Sequence, residues 1–203
     1  IAQAGPGASP SSQIDARAAL VQPGSKAALG KTAPDFILKG FDGQPVTLSE
    51  FRGKTVVLEW FNPDCPFVKL AHNEGPLPAI AQKHLKTGGV WLAVNSGGPG
   101  KQGHGARRNR KAKSEYRLSY PILLDTTGEV GKAYGATNTP QVYIVNPKGV
   151  LVYAGAIDNT RGGGYNRGPF TNYLRKSLES VANGKRLGTR QTKPWGCSVK
   201  YSK

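Results

Sequence analysis

Two stretches of this chain are apolar at nearly every position over the length of a strand: residues 55–61, Thr-Val-Val-Leu-Glu-Trp-Phe, and residues 90–95, Val-Trp-Leu-Ala-Val-Asn. That pattern predicts strands covered on both faces. Residues 36–41 and 44–48 flank Asp42-Gly43, which predicts a β-hairpin with an Asp-Gly turn. One helical turn follows at 49–52, stopped by Gly53. Further strands are expected at 120–125, 141–145 and 150–153, the last two joined by the turn Asn146-Pro147-Lys148-Gly149. A helix should start at Cys65-Pro66, because proline suits the first helical position, break near Gly75-Pro76 and resume to Lys86. A basic helix is expected over 107–117, a short one over 127–134 ended by Gly135, and an amphipathic one over 170–182.

Helices alternate with strands until the closing hairpin. This is the pattern of an α/β protein with a mixed central β-sheet flanked by helices and an N-terminal β-hairpin extension. Residues 1–32 are rich in Ala, Gly, Ser, Pro and Gln and read as an N-terminal extension or strap, with at most a short helix near 15–20. Residues 33–183 form the expected domain, and 184–203 a basic C-terminal tail carrying Cys197.

The 203 residues suit one domain with extensions, and 37% hydrophobic with 8% aromatic residues suffices for a compact core. No apolar run approaches the roughly 18 residues needed to cross a bilayer, so no membrane span is expected. The net charge of +16 is concentrated in 101–117, 161–176 and 184–203, where Glu115 is the only acid. Such basic loops favour an anionic surface. With Tyr116 the one aromatic among the basic residues of 101–117, and no nucleic-acid module, the alternative is a solvated charged insertion, and no specific nucleic-acid partner is expected. The opening Ile1-Ala2-Gln3-Ala4 has the small-residue pattern that ends an export signal; a trimmed chain start is the alternative. On the export reading the protein is extracytoplasmic, periplasmic or secreted, where disulfides persist.

Only two cysteines are present, Cys65 and Cys197, which excludes a disulfide-dense fold and any Cys-only zinc or iron–sulfur site. His72, His84 and His104 are scattered, and no metal site is expected.

Several segments together carry a family resemblance. Val57-Leu58-Glu59-Trp60-Phe61-Asn62-Pro63-Asp64-Cys65-Pro66-Phe67-Val68 is similar to the strand, loop and helix that bear the thioredoxin redox motif. Tyr134-Gly135-Ala136-Thr137-Asn138-Thr139-Pro140-Gln141-Val142 resembles the segment holding that superfamily's cis-proline, and Ala33-Pro34-Asp35-Phe36 is typical of redoxins. Over residues 30–183 the chain therefore resembles the thioredoxin superfamily, in its redoxin (AhpC/TSA-like, peroxiredoxin-like) and TlpA-like branch. Two departures matter. The second cysteine of a C-x-x-C pair is replaced by Val68, and the peroxiredoxin P-x-x-x-T-x-x-C pattern is missing, with Asn62 and Leu58 at the corresponding offsets before Cys65.

The resemblance implies a thioredoxin fold and thiol–disulfide oxidoreductase chemistry. Cys65, placed at a helix start where unpaired N–H groups stabilise a thiolate and presented to solvent, would be the nucleophile. Cys197 is the one available resolving thiol; a static bridge pinning the tail, worth roughly 4–5 kcal/mol for so long a loop, is the alternative, as are two thiols that never meet. Glu59 lies six residues before Cys65, where thioredoxins hold a buried acid, and would be the general acid/base; an exposed or salt-bridged strand residue is the alternative. Thr139 and Pro140, in a cis peptide, with Trp60 and Pro66, would shape the substrate groove and leave backbone free to pair with a bound peptide. Partners would be protein or small-molecule thiols and disulfides and a reductant protein, with no bound cofactor, since electrons travel through sulfur. A non-catalytic binding module and an atypical thiol peroxidase remain the other functional readings.

Overall fold

The computed structural model describes residues 21, 22, 24–162, 164, 165 and 169–202. The short helix expected near 15–20 lies outside them. In chain order, β1 (Ile37–Gly40), β2 (Pro45–Thr47) and a 3-10 turn at Leu48–Phe51 lead into β3 (Val56–Trp60). Helices α1 (Pro66–Asn73) and α2 (Leu77–Lys86) cross to β4 (Val90–Asn95), and α3 (Ala106–Glu115) leads to β5 (Ile122–Leu124). Then come α4 (Glu129–Tyr134), β6 (Asn138–Thr139), β7 (Gln141–Val145), β8 (Leu151–Gly155), α5 (Tyr173–Ala182) and β9 (Cys197–Ser198).

Seven strands form one mixed sheet in the order β2-β1-β5-β4-β3-β7-β8. β3 pairs parallel with β4 and antiparallel with β7, so it has neighbours on both sides. Its side chains alternate between two cores, as a period of two requires. Val57 joins Trp91, Ala93, Ile122 and Ile144 under α1, α2 and α5. Val56, Leu58 and Trp60 join Leu92, Val94 and Tyr143 under α4 and the N-terminal hairpin. Two-sided coverage is why β3 and β4 show no alternation in sequence. Trp91 and Leu92 point to opposite faces and both meet apolar neighbours.

The described segments flanking residues 33–183 add backbone pairing that the sequence pattern does not show. Backbone pairing reaches back before Ala33: Ala27 N–H donates to Ala133 O at 2.8 Å and Gly30 N–H to Leu151 O at 2.8 Å. In the tail, β9 pairs with β6 in a second, two-stranded ribbon, and Gln191 bridges to Ala154 at the sheet edge. Neither feature is visible in side-chain periodicity, because two-residue strands and isolated bridges have none.

Leu58 is fully buried between two paired strands. Leu58→Ala is expected to lower the free energy of unfolding by about 3 kcal/mol, the cost of lost transfer energy plus an unfilled cavity. A urea titration with an unchanged slope checks it.

Candidate active site

The carboxyl end of β3 delivers the chain into a tight loop, Asn62-Pro63-Asp64, and then into α1 with Cys65 as its N-cap residue and Pro66 as its first helical residue. The loop is closed locally: Asp64 N–H donates to Asn62 Oδ1 at 2.9 Å and Cys65 N–H to Asn62 O at 3.1 Å. It is also clamped from α3. Arg108 Nε donates to Asp64 Oδ1 at 2.8 Å and its NH2 to Pro63 O at 3.1 Å, while Tyr116 OH donates to Pro63 O at 2.9 Å. Burial pushes the Tyr116 phenol up to about 12, so it stays a donor across the working pH range.

Cys65 is wholly buried, which corrects the expectation that the helix start presents its sulfur to solvent. The cover is tertiary. Its Sγ lies 3.1 Å from Thr139 O, and Thr139 pairs in turn with Cys197 in the β6–β9 ribbon. That pairing brings Cys197 next to Cys65, and both cysteines are free thiols. Cys197 itself is half-buried. Its thiol is pushed up to about 11, first by burial and then by the hydrogen bond and charge of Cys65; Lys200 pulls weakly the other way. The Thr139–Pro140 peptide is cis.

Glu59 is also fully buried, on the opposite face of β3 from Trp60. Its carboxylate accepts from Trp91 Nε1 at 2.9 Å and Tyr120 OH at 3.3 Å, and its Oε1 lies 2.7 Å from His72 Nε2 on α1. Burial and the neighbouring Glu59 push the Tyr120 phenol well above its ordinary value. The described hydrogen bonds of Glu59 tie it to His72, Trp91 and Tyr120, not to Cys65.

Of the four residues expected in the groove, Thr139 and Pro140 lie beside Cys65 and Pro66 is exposed at the start of α1. Trp60 is misplaced in the sequence reading: it is fully buried against Tyr134 and Tyr143, with its indole N–H on Ser96 Oγ at 3.0 Å. Side-chain alternation along β3 turns it into the core rather than toward the loop. Sequence reading missed His72 and Arg108. The first falls seven residues after Cys65, two helical turns along α1, a spacing that carries a usable signal. The second is one arginine among several in a basic helix, with nothing in the sequence to single it out. Among the described residues, no group of three or more His, Cys, Asp or Glu side chains is placed to hold a metal ion. Nor, among the described residues, is any helix long and apolar enough to cross a membrane.

A mixed sheet flanked by helices, with a cysteine capping the helix that follows β3, defines a thioredoxin-fold protein. Residues 29–154 match the AhpC/TSA family, and the chain belongs to that family. It is similar to the thiol-disulfide oxidoreductase ResA of Bacillus subtilis (strain 168), 32% identical over 124 residues, 61% of this chain and 64% of that protein. The chain thus spans slightly under two thirds of that relative's length. It is 31% identical over 122 residues to the thioredoxin-like protein YneN of the same organism, covering 60% of this chain and 68% of that one. Among solved structures, a hypothetical protein from Sinorhizobium meliloti 1021 superposes with a TM-score of 0.75 at 30% identity, covering 88% of this chain and 97% of that one.

Because the raised Cys197 thiol keeps its proton below about 11, its alkylation in the reduced protein should be slow at neutral pH and rise as pH climbs through that value. Cys65→Ser removes the sulfur that holds the proton there, so the rise should move to lower pH while the burial contribution remains. Iodoacetamide kinetics with mass mapping of Cys197 measure both profiles.

Proposed function

We propose that this chain is a thiol–disulfide oxidoreductase in which Cys65 and Cys197 form the exchanging pair. The observation that carries this reading is the meeting of the two thiols at Thr139, although 131 positions separate them in the sequence. In the reductive direction the Cys65 thiolate attacks one sulfur of a substrate disulfide. A Cys65–substrate disulfide forms, and the other substrate sulfur leaves as a thiolate that takes up a proton. Cys197, deprotonated, then attacks the Cys65 sulfur. The remaining substrate thiolate departs and is protonated, and a Cys65–Cys197 disulfide remains. The substrate disulfide has gained the two electrons that the protein dithiol lost. A dithiol reductant protein restores the pair, and the reverse sequence oxidises substrate thiols. No step requires a bound cofactor.

Glu59 is the proton relay of this reading, with His72 orienting its carboxylate from α1. Pro66, Thr139 and Pro140 border the sulfur that reacts. Residues 33–183 would be the functional unit, with 1–32 as a strap and 184–203 as the segment that brings the second thiol. An extracytoplasmic setting, periplasmic or secreted, suits a pair that cycles through a disulfide, and the exposed Arg107, Arg110 and Lys111 on α3 suit an anionic surface nearby.

Two other readings each have an observation in their favour. Complete burial of Cys65 favours a non-catalytic module held by a static Cys65–Cys197 bridge. Membership of the AhpC/TSA family favours an atypical thiol peroxidase. Assays of disulfide reduction and of peroxide consumption, run side by side, separate all three.

Cys65→Ser should abolish exchange with a peptide disulfide. Cys197→Ser should complete only the first step and accumulate a Cys65–substrate mixed disulfide visible by intact mass. Wild-type protein that exchanges through neither cysteine would leave the static module. Glu59→Gln should slow exchange by roughly 10²-fold and flatten the pH–rate profile of Cys65 alkylation, as loss of a general acid/base does. An unchanged profile rules that role out.

A further inference from the structure

The edge of β6, where a bound peptide was expected to pair, is already occupied by the chain's own tail. Asn138 pairs with Ser198 and Thr139 with Cys197 in antiparallel register, and Val199 N–H donates to Thr137 O at 3.0 Å. Asn138 adds a side-chain contact, its Nδ2 donating to Gly196 O at 3.0 Å. Gly196 sits at φ +115 so close to this edge that a Cβ would come within 2.2 Å of Thr139 O. Two residues before Cys197, Trp195 is buried, its indole N–H donating to Asp158 O at 3.0 Å and its ring set edge-on to Phe67 of α1 at 6.3 Å. The tail thus makes the three kinds of contact that an extended ligand makes on a sheet edge: a backbone ladder, a side-chain subsite, and a reacting group over the partner's reacting group.

We propose that segment 194–199 is a built-in substrate strand, which closes the groove over Cys65 and shows the form of peptide the groove takes: an extended segment with an aromatic residue two positions before its cysteine and a small residue between. The proposal rests on the thiol–disulfide reading of the site. A substrate reaches Cys65 only when this strand lifts, and it then lies where the strand lay, with its aromatic ring between Phe67 and the Asp158 carbonyl and its sulfur in the place of Cys197 Sγ. Lifting can be local, because the tail is held separately on either side. Thr192 Oγ1 accepts from Ala156 N–H at 2.8 Å before it, and Tyr201 OH donates to Ala136 O at 2.8 Å after it. The same strand returns Cys197 to Cys65 after the first exchange, so closing the groove and resolving the intermediate become one motion. Occupation from within lowers the apparent affinity for any external segment by the fraction of time the groove is open.

The test reads accessibility and binding, so it does not depend on turnover. In full-length Cys197→Ser, Cys65 is the one remaining thiol, and its alkylation by iodoacetamide should be slow. Adding Trp195→Ala or, separately, Gly196→Ala should release the strand and raise that rate by at least roughly tenfold, the gain expected when a mostly closed state opens. A fluorescent peptide Lys-Pro-Trp-Gly-Ser-Ser-Val should then bind the released variants and not Cys197→Ser alone, and its Trp→Ala version should bind at least several-fold more weakly. Fast alkylation in Cys197→Ser alone, no acceleration in either released variant, or equal binding of the two peptides would overturn the proposal. So would collapse of the whole fold in both tail variants, since the segment would then be a strut rather than an occupant. Accelerated Cys65 with peptide binding in these variants, but no disulfide exchange by the wild-type protein, would leave the groove assignment standing and remove the oxidoreductase reading instead.

Discussion

The backbone of Thr139 is where the molecule is tied together functionally. On one side its carbonyl lies at hydrogen-bonding distance from the Cys65 sulfur; on the other it is ladder partner to Cys197. A backbone carbonyl cut off from water must find a donor, and here the donor is a thiol. The loop that holds it is set by the start of β7 and the end of α4, whose last turn closes at Gly135 in the left-handed conformation, φ 64. Sheet and helix thus locate one peptide, and that peptide locates both sulfurs. Without the tail, the same carbonyl and the same cysteine would face an open groove.

A second constraint lies behind the cysteine. Removing a carboxylate from water costs several kcal/mol unless its oxygens are satisfied. Glu59 is satisfied by Trp91 on β4, Tyr120 before β5 and His72 on α1. The group is costly in an apolar core, yet its partners come from β4, α1 and the segment before β5. Satisfying it therefore fixes the rotation of α1 relative to the sheet, and with it the position of the Cys65 cap. Buried polar clusters of this kind specify one arrangement where apolar packing alone would accept several.

The basic segment over 101–117 shows how charge and structure divide the same residues. Arg107, Arg110 and Lys111 are exposed, as a solvated or anion-facing surface requires, whereas Arg108 turns inward to Asp64 and Pro63. A bidentate guanidinium can grip a carboxylate and a carbonyl at once; an ammonium cannot do so with the same geometry. The positive charge of this helix thus supports the loop before Cys65 as well as any surface role.

The sheet, its flanking helices, the helix break at Gly75-Pro76 and the cysteine at the start of α1 were legible in the sequence, because apolar runs, Asp-Gly and Asn-Pro turns, and proline at a first helical position are local signals with local causes. The pairing of Cys197 with Thr139, the inward turn of Arg108, the union of His72 with Glu59 and the burial of Trp60 were not. Each depends on which residues the folded sheet brings together across tens of positions, and no periodicity records that. The chain's own order determined a thioredoxin-like scaffold with one cysteine at the start of α1. Only the tertiary structure decided that the other cysteine reaches it, because two residues of tail strand, too short to mark themselves in any pattern, find their partners on the β6 segment, which is in place only once the rest has folded.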